Sequence, residues 1–129
     1  MTLNLNTIIL FVQNVDKLKS FYSGILKLEV AEEIKSEWLL LKAGNCSIGL
    51  HRIGEEYRDE TKNEFDHESN IKIVFEMDED INIIREELIS KKVVMREIKL
   101  FEDYGYFVCD GVDPEGNVFQ LKQKITERK

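Results

Sequence analysis

From Thr7 the chain runs TIILFV, a β-branched and aromatic stretch that reads as a strand, and the polar QNVD behind it offers Asn14 or Asp16 as a helix cap. From Val15, the residues Leu18, Phe21, Tyr22, Ile25 and Leu26 recur at three- and four-residue spacing, which predicts a helix reaching about Leu26 with one apolar face. Three extended segments follow: LEVAEEI, EWLLLKA and, beyond the Gly44-Asn45 turn, SIGLHRI. The same order then returns. NIKIVFEM predicts a strand, DEDINIIREELISKK a helix with capping acids and a stripe of Ile81, Ile84 and Leu88, and VVMREIKL, YFVCDGV and NVFQLKQK three more strands.

The pattern is therefore βαβββ twice, over 1–53 and 71–129, joined by an acid-rich linker, 54–70, that has almost no aliphatic residues. One helix covers only one face of each sheet, so the other face needs a second partner. The expected fold is α+β, with two tandem βαβββ modules forming a curled mixed sheet around a cleft, all within one domain spanning 1–129. Such a cleft is where a ligand is expected to sit.

Composition narrows the function. A chain of 129 residues, 43% hydrophobic, can build a substantial core. Its net charge of −7 disfavours nucleic acid, whose phosphates need clustered Lys and Arg, and leans toward cationic ligands, although surface solubility accounts for most of such charge. No apolar run is long enough to cross a bilayer, and the opening MTLNLNTIILFV lacks the basic region and cleavage site of a secretory signal; a cytoplasmic protein without a membrane partner is expected. Cys46 and Cys109 show no CxxC spacing and read as packed thiols in a reducing compartment. No phosphate-binding glycine loop is present, and nothing in the spacing recommends a dyad of either cysteine with His51.

Two stretches carry a resemblance. TIILFVQNVDKLKSFYSGILKLEV and the closing DPEGNVFQL resemble the first strand and helix and the last turn and strand of the vicinal oxygen chelate superfamily. That family includes glyoxalase I, extradiol dioxygenases, fosfomycin-resistance transferases and bleomycin-resistance binding proteins. Turn chemistry alone also accounts for the closing motif: Pro114 sets φ, Gly116 permits positive φ and Asp113 caps its own backbone.

The resemblance implies where a metal would be held. Metal-dependent members place His, Glu or a similar ligand on four cleft-facing strands, and those positions fall here on Thr7, Gly49, Lys72 and Gln120. A hydroxyl, a missing side chain, an ammonium and an amide are poor partners for Zn, Ni, Fe or Mn. A rearranged site on His51 and Glu76, which share strand faces with Gly49 and Lys72, remains the minority reading; His67 in the linker reads as solvated. Lys72 is a candidate for Schiff-base or general-base work; the alternatives are pairing to Glu76 or a facing acid, or pointing outward at a strand end.

Strand alternation puts Thr7, Ile9 and Phe11 on the cleft wall beside Ser47, Gly49 and His51, and Lys72, Val74 and Glu76 beside Val118, Gln120 and Lys122. Trp38 either joins that wall or packs in the core. Tyr104 and Tyr106 stand near the mouth, as a lid or as packing. The resemblance then implies a metal-free protein that sequesters a small cationic or aromatic molecule, with a glyoxalase-like metal-dependent lyase or isomerase as the alternative. A homodimer is expected on both readings, because the sheet edges would otherwise be exposed.

Overall fold

The computed structural model describes residues 1–2, 5–54 and 71–125. Most of the expected linker, with His67, therefore lies outside the described residues. The chain divides into two compact units, Met1–Asn63 and Glu64–Lys129.

In the first unit, β1 (Thr7–Val12) leads into α1 (Val15–Lys19), a π-helical turn (Ser20–Ile25), β2 (Glu29–Ile34), β3 (Trp38–Ala43) and β4 (Cys46–Arg52). The sheet order is β1-β4-β3-β2, with β1 parallel to β4 and the other pairs antiparallel. Asn14 supplies the cap, its side chain accepting from the Lys17 N–H at 3.0 Å. The helix expected to run to about Leu26 is α-helical only to Lys19. Beyond it the Leu26 N–H reaches back five residues to the Phe21 carbonyl, which is π geometry. Within the widened turn the adjacent Phe21 and Tyr22 are both buried and meet edge to face at 4.9 Å.

The second unit repeats the topology. β5 (Lys72–Met77) is followed by α2 (Ile81–Ser90), β6 (Val94–Met95), β7 (Lys99–Phe101), β8 (Tyr106–Val112) and β9 (Val118–Lys124). The order β5-β9-β8-β6, with β7 also on β8, again places the first strand parallel to the last. Asp80 caps α2, and the Gln123 side chain accepts from the Ile81 N–H at 2.7 Å. The predicted stripe faces inward, with Ile81 and Leu88 buried and Ile84 half-buried.

VVMREIKL is not one strand. Met95 pairs with Gly111 but Lys99 pairs with Val108, so three residues, 96–98, stand opposite two. That is a β-bulge, and it turns the Arg96 carbonyl to accept from Arg85 Nε at 2.9 Å and Cys109 Sγ at 3.1 Å.

Each sheet has one covered face. Leu10, Val12, Leu39, Leu41, Ile48 and Leu50 are buried beneath Val15, Leu18, Phe21 and Tyr22; Ile73, Cys109, Phe119 and Leu121 are buried on the face toward Ile81 and Leu88. Alternation sends the intervening residues to the opposite face. No described helix is long and apolar enough to cross a membrane.

Candidate functional site

On the open face of the first sheet three rings lie side by side. Phe11 is paired with His51 across β1 and β4, and Trp38 with His51 across β3 and β4. The ring centroids are 5.5 Å apart for Phe11 and His51, and 6.0 Å for Trp38 and His51. Ile9 and Phe11 are 45% and 67% exposed, which is unusual for large apolar residues at the middle and end of a strand. His51 donates Nδ1–H to the Arg52 carbonyl at 2.8 Å, which leaves Nε2 as the ring's acceptor. Trp38 donates Nε1–H to Glu32 at 3.2 Å, fixing the indole's tilt.

Gly49 explains how the indole fits. A Cβ there would lie 2.5 Å from Trp38 Cη2, 2.9 Å from Cζ3 and 3.2 Å from Ile9 Cγ1. The absent side chain is thus the space the indole occupies. Trp38 therefore lies on the same sheet face as His51, over Gly49, and not among the buried residues of the opposite face.

On the second sheet, Asp110 of β8 stands directly across from Gln120 of β9, which in turn pairs with Val74 of β5. Lys72 donates to Asp110 Oδ2 at 2.8 Å and Gln120 Nε2 to Asp110 Oδ1 at 2.9 Å. Partial burial pushes the Asp110 pKa up, but the hydrogen bonds from Lys72 and Gln120 and the positive charges of Lys72 and Arg96 outweigh it, holding the carboxyl below the usual aspartate range. Lys72 therefore pairs with a facing acid, as one of its expectations had it, and that acid is Asp110. Lys122 lies 4.3 Å from the centre of the Tyr106 ring, a cation–π contact. Tyr106 also neighbours Tyr104 and Phe101, with centroids at 6.2 and 5.9 Å. Glu76 is exposed on β5, in register with Lys122.

The four positions aligned with metal ligands fail as a donor set. Thr7 gives its hydroxyl proton to Asn6 at 2.6 Å, Gly49 sits under Trp38, and Lys72 and Gln120 both point N–H groups at Asp110. The ammonium has no lone pair to give a cation, and a neutral amide is a weak partner for a transition metal. His51 belongs to the first unit and Glu76 to the second, and among the described residues no three His, Cys, Asp or Glu side chains gather as a metal would require.

The closing motif is turn chemistry throughout. Asp113, 2% exposed, accepts from the Glu115 and Asn117 backbone N–H groups at 2.8 and 2.9 Å and from Asn117 Nδ2 at 2.9 Å, while Gly116 takes φ +83°. It delivers β9, and with it Gln120, to the sheet.

Two residues escaped the sequence reading. Asp110 is the lone acid in the apolar run YFVCDGV, alternate to Tyr106 and Val108, and an acid on a half-buried strand face signals a partner across the sheet. Glu32, which holds the indole, has no comparable signal among its neighbouring glutamates.

No family model and no curated protein matches the sequence. Solved structures do. The fold matches lactoylglutathione lyase from Agrobacterium tumefaciens at TM-score 0.72, with 15% identity over 93% of this chain and 92% of that one. It matches TnmS3, an antibiotic binding protein from Streptomyces sp. CB03234, at TM-score 0.71, with 17% identity over 95% and 97%. The fosfomycin resistance protein FosX from Listeria monocytogenes matches at 0.68, with 14% identity over 95% and 93%. This chain has the glyoxalase/bleomycin resistance fold. At these identities the likeness is one of fold. Within it a lyase, a resistance protein and an antibiotic binder are all housed, so the side chains must decide the chemistry.

Proposed function

We propose that this protein binds a small organic molecule without a resident metal, holding an aromatic part of it against Phe11, His51 and Trp38. The observation that supports this most is Gly49 beneath the indole: a position aligned with metal ligation supplies no donor and instead seats a ring. Exposed rings inclined to one another, with an imidazole acceptor and a carboxylate-held indole, suit ring contacts plus one or two directional hydrogen bonds. TnmS3, an antibiotic binding protein of the same fold, is a precedent for binding by this architecture.

The expected preference for cations rested on net charge, and 55–70 carries seven acids against two bases, hence five of the seven net negative charges. The aromatic part of the expectation has the firmer local support. We further take the protein to be a cytoplasmic homodimer, with Cys46 and Cys109 kept as thiols.

A thermal-shift and tryptophan-fluorescence screen of chelator-treated protein against aromatic antibiotics and metabolites tests the reading. Saturable responses in the absence of metal support it. An empty panel, followed by responses or lyase activity only after Ni or Zn is added, would instead favour the glyoxalase-like metal-dependent alternative.

A further inference from the structure

The open face of the second sheet differs in charge from the chain as a whole. Lys72, Lys99, Lys122 and Lys124 share it with only Asp110 and Glu76, by the register of β5, β7, β8 and β9. A positive balance on a sheet face is notable in a chain of net charge −7.

We propose that this face anchors the oxyanion of a small ligand, a carboxylate or a phosphoryl group, on the Lys72 ammonium. The inference goes beyond the ligand-binding reading above, because it concerns the second unit by itself. Surface lysines ordinarily wander on a flexible stem. Lys72 has a defined partner: Asp110 accepts from it at 2.8 Å, and Gln120 donates to Asp110 from the other side at 2.9 Å. Asp110 takes one of the ammonium's three N–H groups, and the Lys72 side chain is still 43% exposed, so donors remain for a ligand. Both Asp110 oxygens are engaged, which leaves the lysine as the group an incoming anion meets.

The neighbours sharpen the choice of ligand. Gln120 turns its N–H toward Asp110, so its carbonyl oxygen is an acceptor for a hydroxyl or N–H beside the oxyanion. Val74, half exposed and paired with Gln120, offers apolar contact to a hydrocarbon portion. Lys122, held over Tyr106, adds a second positive charge and a ring on the same face. A cationic ligand would meet a face carrying four lysines against two carboxylates.

Amide-resolved NMR titrations of the full chain test the anchor, with benzoate, phenylphosphonate, neutral benzamide and benzylammonium as probes. Benzoate or phenylphosphonate should shift the amides of Lys72, Val74, Asp110 and Gln120 saturably, and the stronger of the two identifies the oxyanion as carboxylate or phosphoryl. Benzamide should bind about tenfold more weakly and benzylammonium not at all. Lys72→Gln should lose about tenfold in oxyanion affinity, Lys72→Arg should retain it, and Lys124→Gln should lose little. Equal binding of benzamide and benzoate, or an unchanged Lys72→Gln, overturns the anchor; should Lys72→Gln unfold, the arginine variant and the benzamide comparison still decide. Indole, added separately, reports on Phe11, Trp38 and His51: loss of that response with the oxyanion response intact overturns the stacking reading alone, and the reverse overturns the anchor alone.

Discussion

The indole of Trp38 occupies the place that a side chain on Gly49 would fill, with a built Cβ only 2.5 Å from Cη2. Two residues on neighbouring strands, one of which is a glycine, thereby set the shape of the candidate binding face. Gly49→Ala should push the indole off its seat and away from Glu32. Because the ring lies on an open face and can swing, the stability cost should stay near about 1–2 kcal/mol, while tryptophan emission shifts and binding of aromatic probes falls. Urea unfolding and fluorescence spectra of the variant check both parts.

Asp110 predicts a pH dependence. Its folded pKa is depressed, so the group contributes stability that is present above its unfolded value of about 3.9 and is lost as pH falls through the folded value. Asp110→Asn should therefore be less stable than the parent at pH 7, by about 1 kcal/mol given that Lys72 is partly solvated. The gap should close in acid, at and below the depressed value. Urea unfolding curves at pH 7 and pH 3 measure it, and a gap of constant size would contradict the assignment.

Asp113→Ala should destabilise the fold more than it alters the binding faces. The substitution strands the Glu115 and Asn117 N–H groups in a part-buried turn, at a cost of about 1–2 kcal/mol. Thermal melts should show the loss, and an unchanged midpoint would mean the turn is held by other contacts.

The architecture was legible because alternation and helical spacing are local signals. TIILFV and SIGLHRI announce which residues face away from their helix, so alternation alone places Ile9, Phe11, Gly49 and His51 on one face. Pairing across strands is a different kind of information. Whether Trp38 lies on that face depends on β3 being matched to β4, and Lys72 finds Asp110 across β9, 38 residues away in sequence. The bulge at 96–98 was invisible because it arises from a one-residue mismatch between partner strands, and VVMREIKL by itself looks uninterrupted. The π-helical turn was missed because Phe21, Tyr22, Ile25 and Leu26 satisfy helical spacing closely enough to conceal a wider turn.

The two thiols should differ in reactivity. Burial is the largest influence on Cys109, pushing its pKa up against the lowering effect of Arg85, and its Sγ–H is committed to the Arg96 carbonyl. Cys46 is only half-buried. Reaction with a chromogenic disulfide near pH 8 should therefore release one equivalent quickly and the second only on unfolding. Two equal fast phases would contradict the packing around Cys109.

The most direct test of metal-free binding is amide-resolved NMR mapping of the strongest aromatic hit on chelator-treated protein. Stacking on the open face predicts saturable shifts at Phe11, Trp38, Gly49 and His51 with no metal added, undiminished by further chelator. Shifts that emerge only after Zn, Ni, Fe or Mn is supplied would contradict it.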